Sequence, residues 1–90
     1  MESAIRKIFE TEADAIRNIP VGKEYSSAIE IIYERVHKMH GKLVVTGMGK
    51  AGQVAHNIAT TFSSTGTPAV FLHPSEAQHG DLGILQEKDV

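Results

Sequence analysis

The 90-residue sequence predicts an α/β fold in which a parallel sheet is flanked by helices. Two helical patterns open the chain, and a short aliphatic run at 43–46 then meets a cluster of glycines. A third helical pattern follows, and a second aliphatic run lies at 69–72. A strand, a crossover helix and a second strand form a βαβ unit, so we expect parallel strands and a right-handed crossover.

The first two predicted helices cover about 2–18 and 24–39. Their apolar residues recur every three or four positions, which puts them on one face of each helix. Pro20 and Gly22 separate the helices, and Gly41 ends the second. The apolar residues are Ile5, Ile8, Phe9, Ala13, Ile16 and Ile19 in the first helix, and Tyr25, Ala28, Ile29, Ile32, Val36 and Met39 in the second.

The two aliphatic runs, 43–46 and 69–72, predict buried strands because they lack alternation and are too short for helices. A helix over about 51–64 connects them, and Gly66 and Pro68 end it. A sheet of two parallel strands needs helices on both faces, and two strands alone do not supply a full hydrophobic core. The sequence therefore indicates a fragment of a larger α/β domain, or alternatively an obligate oligomer that completes its core with partner chains.

The composition limits the partners that we expect. The net charge is -2 and the basic residues are scattered, which argues against nucleic acid and anionic membranes as partners. Cysteine is absent, which excludes a disulfide framework and a thiolate metal site. The first residues lack the apolar core of a signal peptide, so we expect a cytoplasmic protein.

The glycine cluster, Gly47-x-Gly49-x-x-Gly52, stands between the first strand and the third helix. Such a turn brings bare backbone and a helix N-terminus close to an anion, so a phosphosugar is our first hypothesis. The pattern matches the dinucleotide fingerprint, but the second strand ends in Leu72-His73-Pro74, without the acid that would hold a ribose. The spacing does not fit a Walker A loop. The remaining alternative is that the glycines only permit a tight turn.

Three blocks of sequence resemble the sugar isomerase (SIS) domain of arabinose 5-phosphate isomerases, the KpsF/GutQ group. They are V-V-T-G-M-G-K-A-G at 44–52, T-F-S-S-T-G-T-P at 61–68 and F-L-H-P-S-E-A-Q-H-G-D-L-G at 71–83. The resemblance implies a Rossmann-like three-layer domain of which 1–90 is the N-terminal portion, with no CBS domains in this chain. It also implies a homo-oligomer, a tetramer in this group.

The resemblance further implies an activity and its residues. Such enzymes interconvert D-ribulose 5-phosphate and D-arabinose 5-phosphate for Kdo synthesis, in lipopolysaccharide or capsule, without an organic cofactor. Lys50 matches the lysine implicated in catalysis. Four residues match substrate contacts of the family: Gly66, Thr67, His73 and His79. The residue that His73 matches can also bind inhibitory zinc. From the loop itself, we expect Gly47 and Gly49 to approach the substrate as well.

Other expected parts of the site fall outside these matches. In the family, a Ser-rich phosphate loop and the acids that move the proton correspond to positions after Val90, so we expect the 90 residues alone to be inactive. His37, His40 and His56 have no match and are predicted to be ordinary surface residues. A non-catalytic SIS module that senses a phosphosugar is the alternative from another class. Another phosphosugar isomerase of the same fold is a third.

Overall fold

The chain forms helices around a small parallel sheet in a computed structural model that describes all residues, Met1–Val90. The second helix, α2 (Lys23–Ile32), continues directly into a π-helical segment, Tyr33–Lys38, so its hydrogen-bond pattern changes midway along the predicted helix. The elements are α1 (Glu2–Arg17), α2 (Lys23–Ile32), β1 (Leu43–Val45), α3 (Gly49–Ser64), β2 (Ala69–Phe71), α4 (Pro74–Gln78) and a 3-10 turn (Asp81–Ile84).

Strands β1 and β2 pair in parallel, with Leu43 opposite Ala69 and Val45 opposite Phe71. The predicted α/β class with parallel strands is therefore confirmed. Each strand is one residue shorter than predicted, but the pairing continues past both ends. The Leu72 N–H donates to the Val45 carbonyl at 2.9 Å, and the Thr46 hydroxyl donates to the Leu72 carbonyl.

The other edge of β1 is also paired. The Val44 N–H donates to the Val90 carbonyl at 2.7 Å, and the Val90 N–H donates to the Lys42 carbonyl at 3.1 Å. This alternation is the pattern of a parallel ladder, in which one residue bonds to the two that flank its neighbour. Strand β1 therefore has parallel neighbours on both sides, with β2 on one edge and Val90 on the other.

A single carboxylate attaches the segment around Val90 to the start of β1. Asp89 Oδ1 accepts a hydrogen bond from the Lys42 backbone N–H at 3.0 Å, whereas Oδ2 accepts from the Gln86 backbone N–H at 2.8 Å and lies 2.7 Å from the Lys42 ammonium. The Lys42 ammonium also donates to the Ile84 carbonyl. The hydrogen bond from Lys42 holds the pKa of the Asp89 carboxyl below its ordinary value, against the opposing effect of desolvation.

Replacing Asp89 by asparagine is expected to weaken the acid dependence of stability. Because the pKa of Asp89 is lower in the folded chain, its ionised form stabilises the fold above the unfolded value, near 3.8. That stabilisation is lost as the pH falls through the folded pKa. Urea unfolding of the full-length protein from pH 7 downwards should therefore show a smaller acid-side loss in Asp89→Asn than in the parent. Glu87→Gln, which changes an exposed acid nearby, serves as the control, and equal acid-side losses in all three proteins would contradict the assignment.

The buried core lies between α3 and the sheet, whereas the leading helices are largely uncovered. Helix α1 has no buried residue, and Phe9 and Ile16 are 57% and 69% exposed. The radius of gyration is 17.0 Å, against about 12 Å for a compact chain of this length. None of the helices is long and apolar enough to cross a membrane. The buried apolar residues are Val36, Leu43, Ala55, Ala59 and Leu72.

Candidate functional site

In the glycine loop, the backbones of the first and third glycines, Gly47 and Gly52, lie in close contact. A Cβ atom built on Gly52 would lie 2.5 Å from the carbonyl oxygen of Gly47, so any larger residue would displace the loop. Gly49 has a φ of 60°, in the left-handed region that glycine adopts without strain. Helix α3 begins at Gly49, two residues earlier than predicted, so Lys50 belongs to its first turn.

A cavity of about 300 Å³ opens beside this loop. It lies at the carboxyl ends of β1 and β2, where open α/β sheets hold their ligands. The structure thus brings together three of the residues predicted for the substrate site, Gly47, Gly49 and His73. The lining residues are Gly47, Gly49, Gly52, Gln53, His56, Phe71 and His73.

His73 lines the cavity, and one of its ring nitrogens is bonded within the fold. Its Nδ1 accepts a hydrogen bond from the Ser75 backbone N–H at 3.1 Å, as the N-cap of α4. Because a backbone N–H can only donate, the neutral ring carries its proton on Nε2, which is then a donor. Zinc at Nε2 would need the other tautomer, and the chain has no group of three or more His, Cys, Asp or Glu residues that could hold a metal. The residues present therefore do not fit a resident zinc site.

His79 has the opposite tautomer. Its Nδ1 lies 2.7 Å from the Ser75 carbonyl oxygen, which can only accept, so Nδ1 carries the proton. In the neutral ring, Nε2 of His79 is then an acceptor. His79 caps the end of α4 and is not among the residues that line the cavity. The two histidines thus offer one donor and one acceptor from the two ends of one short helix.

Lys50 lies outside the cavity wall. It follows Gly49 in the first turn of α3, its side chain is exposed, and it takes part in no hydrogen bond or ion pair of the structure. Its ammonium is therefore free, next to a cavity that it does not line.

Gly66 and Thr67 lie at the opposite end of the sheet from the glycine loop. They precede β2, whereas Gly47, Gly49 and His73 follow the ends of β1 and β2. The rise along a strand separates the two ends by roughly 13 Å. The Thr67 hydroxyl instead pairs with His37 Nε2 at 3.0 Å, and Gly66, with a φ of 98°, follows the end of α3. The structure does not bring this pair to the cavity of its own chain.

Four lining residues, Gly52, Gln53, His56 and Phe71, were not among the site residues predicted from the sequence. His56 is exposed, as predicted, but it faces the cavity rather than open solvent alone. Three of the four lining residues belong to α3, where Gly49, Gly52, Gln53 and His56 have the spacing i, i+3, i+4 and i+7, which places these four on one face of the helix. That spacing is the signal by which sequence reasoning could have found them.

Comparisons with known proteins show which proteins the chain is similar to. No protein-family model matches the chain. The chain is 41% identical to the arabinose 5-phosphate isomerase KdsD of Yersinia pestis over 99% of its own length and 26% of that protein. It thus spans about a quarter of this curated relative.

Two solved structures are also similar. One is described as a phosphosugar isomerase involved in capsule formation from Bacteroides fragilis, with 63% identity and a TM-score of 0.92 over 99% of this chain and 46% of that one. The other is an Escherichia coli protein in complex with arabinose 5-phosphate, with 36% identity and a TM-score of 0.78 over 98% of this chain and 46% of that one. The resemblance predicted from the sequence is confirmed: the chain is homologous to part of the arabinose 5-phosphate isomerases, and its fold matches part of the solved phosphosugar isomerases.

Proposed function

We propose that the chain supplies part of the substrate site of a phosphosugar aldose–ketose isomerase. The reaction would interconvert D-ribulose 5-phosphate and D-arabinose 5-phosphate for Kdo synthesis, in the lipopolysaccharide or the capsule pathway. The observation that carries the proposal is the convergence of Gly47, Gly49 and His73 on one cavity at the carboxyl ends of parallel strands. The neighbour solved with arabinose 5-phosphate and the KdsD relative support this choice of substrate.

The chemistry requires stabilisation of negative charge on oxygen. In the direction from ketose to aldose, a proton moves from C1 to C2 and a hydroxyl proton moves from the C1 oxygen to the C2 oxygen, through an enediolate whose oxygens are more negative than those of either sugar. A donor that is already oriented towards such an oxygen stabilises the transition state more than the ground state. His73 Nε2–H is such a donor, and the free Lys50 ammonium beside the cavity would add positive charge once its side chain turns towards the ligand. His79 contributes a bare Nε2 that can accept from a sugar hydroxyl.

The proposal also covers the oligomeric state, the role of Gly66 and Thr67, the cellular location and the cofactor. We propose a homo-oligomer, because the apolar residues of α1 are largely exposed and its neighbours in this chain do not cover them. Gly66 and Thr67 would contact substrate only through a second copy, since they are at the far end of their own sheet. The enzyme would act in the cytoplasm and need no organic cofactor.

A second candidate function is a non-catalytic module that binds a phosphosugar. One observation favours it: Lys50, the residue predicted to act in catalysis, does not line the cavity. Both candidates need the glycine cavity for ligand binding, so they differ only in turnover. Steady-state assay of the full-length protein with D-ribulose 5-phosphate, followed by detection of D-arabinose 5-phosphate, separates them. Product formation supports the isomerase, whereas binding of the sugar without product supports the module.

His73→Ala is expected to weaken substrate use and to relieve inhibition by added zinc. His73 is the cavity histidine, and zinc reaches its Nε2 only if the ring gives up its hydrogen bond with Ser75. His79→Ala should weaken substrate use but remain sensitive to zinc, so it is the matched comparison. Zinc titrations of the isomerase activity in the parent and both variants provide the measurement. If His73→Ala is inhibited as strongly as the parent, zinc acts elsewhere.

A further inference from the structure

A second imidazole, that of His56, lies in the wall of the glycine cavity. His56 is on the face of α3 that also carries Gly52 and Gln53, and its ring packs against Phe71 with centroids 5.4 Å apart and planes at 54°. The edge of the same Phe71 meets His73, with centroids 6.2 Å apart and planes at 85°. Phe71 therefore fixes two imidazoles along one side of the cavity.

Neither ring nitrogen of His56 has a partner in the chain. Three of the other four histidines use a ring nitrogen within the fold: His37 pairs with Thr67, His73 with Ser75 N–H and His79 with Ser75 O. Among the cavity residues, Gln53 and His56 each have an unused donor and an unused acceptor, and His56 carries them on a ring that packs against an aromatic neighbour.

His56 also marks the end of the cavity. It lines a second, adjoining groove of about 440 Å³ between α3 and β2, together with Thr60 and Ser63. The hydroxyls of these two residues already bond to the backbone, Thr60 to the His56 carbonyl and Ser63 to the Ala69 carbonyl. A ligand that extends from the glycine loop along α3 therefore meets the His56 ring before any other unused side-chain polar group of this groove.

We propose that His56 is a further substrate-binding residue, which hydrogen-bonds a hydroxyl group on the carbon chain of the phosphosugar. A neutral imidazole offers one donor and one acceptor, and a hydroxyl group has the same pair of functions. The assignment rests on the proposed function, because it places the phosphosugar in the cavity of Gly47, Gly49 and His73. The phosphate of the substrate does not contact His56 in this arrangement.

The test compares two probes, D-arabinose 5-phosphate and inorganic phosphate, by calorimetric titration of the full-length protein. His56→Phe keeps a ring against Phe71 but removes both nitrogens, whereas His56→Gln keeps a donor and an acceptor. We expect His56→Phe to weaken binding of arabinose 5-phosphate by about five- to tenfold, with the affinity for inorganic phosphate unchanged. His56→Gln should retain affinity within about twofold. His40→Asn, at an exposed histidine with a φ of 62°, is the control and should bind both probes as the parent does.

Each other outcome overturns a stated part of the inference. Unchanged affinity of His56→Phe for arabinose 5-phosphate removes His56 from the site, and an equal loss for both probes makes it a phosphate contact instead. An equal loss in His56→Gln and His56→Phe shows that packing, not hydrogen bonding, is responsible. If the parent binds neither probe, the proposed function fails and the inference fails with it. Should His56→Phe not fold, the comparison of His56→Gln with His56→Ala decides the same question.

Discussion

Lys50→Ala is expected to lower turnover of D-ribulose 5-phosphate in the full-length protein by about a hundredfold, the usual cost of losing one electrostatic contact to a transition state. Its stability should hardly change, because the Lys50 side chain is exposed and packs against nothing that the substitution would uncover. The Michaelis constant should change less than turnover, since the contact forms with the enediolate rather than with the sugar. Steady-state kinetics and a melting curve of each protein provide the comparison.

Two matched variants make the Lys50 result specific. Lys50→Arg keeps the positive charge and should retain more turnover than Lys50→Ala, although its planar head group changes the geometry. Lys23→Ala removes another exposed lysine, at the start of α2, and should have parental turnover. Near-parental turnover of Lys50→Ala together with a lower melting temperature would mean that Lys50 is structural, and would favour the non-catalytic module.

The 90 residues expressed alone are expected to self-associate and to have no isomerase activity. The apolar faces of α1 and α2 carry exposed side chains such as Phe9, Ile16 and Ile29, the last 66% exposed, and exposed apolar faces of this kind favour association. The sheet of β1 and β2 cannot cover these faces. Sedimentation should show species larger than a monomer, circular dichroism should show a broad melt, and the assay should give no product.

A surface variant tests the cause of this association. Phe9→Lys combined with Ile16→Lys puts charges on the apolar face of α1 without touching the buried core, since α1 has no buried residue. Association should decrease in this variant if α1 is responsible. A monomeric parent that melts cooperatively and converts ribulose 5-phosphate would contradict the expectation outright.

The sequence predicts the βαβ unit because its two strand segments are short runs without alternation, whereas the segment between them has apolar residues at helical spacing. Strand β1 consists of three consecutive aliphatic residues, and β2 consists of two aliphatic residues followed by an aromatic one. Helix α3 repeats its apolar positions at helical spacing. The start of α3 is less predictable, because glycines are ordinarily assigned to loops. Here Gly49 and Gly52 are inside the first turn, where Gly52 has no room for a side chain.

The π-helical segment Tyr33–Lys38 was also outside the reach of sequence reasoning. Its Met39 N–H bonds to the Glu34 carbonyl, five residues back, instead of the usual four. One widened turn changes the spacing of the apolar residues too little for the change to be recognised in a sequence segment of six residues. Tertiary contacts, such as the burial of Val36 at 3% exposure, decide the local geometry instead.

The candidate site could be predicted only in part, for a topological reason. The glycine loop indicated Gly47 and Gly49, and the family resemblance added Lys50, Gly66, Thr67, His73 and His79 without regard to which end of the sheet each occupies. In a βαβ unit, the turn before the second strand lies opposite the loop after the first, so Thr67 and Gly47 belong to different ends. His56 was missed because a single histidine on a helix is usually a surface residue, and its helical spacing from Gly49 and Gly52 was not used.

A crystal structure of the full-length protein bound to D-arabinose 5-phosphate would locate the sugar. We expect it in the cavity beside Gly47 and Gly49, with His73 Nε2 within hydrogen-bonding distance of one of its oxygens. A ligand bound at another part of the domain, with this cavity filled by protein side chains, would contradict it.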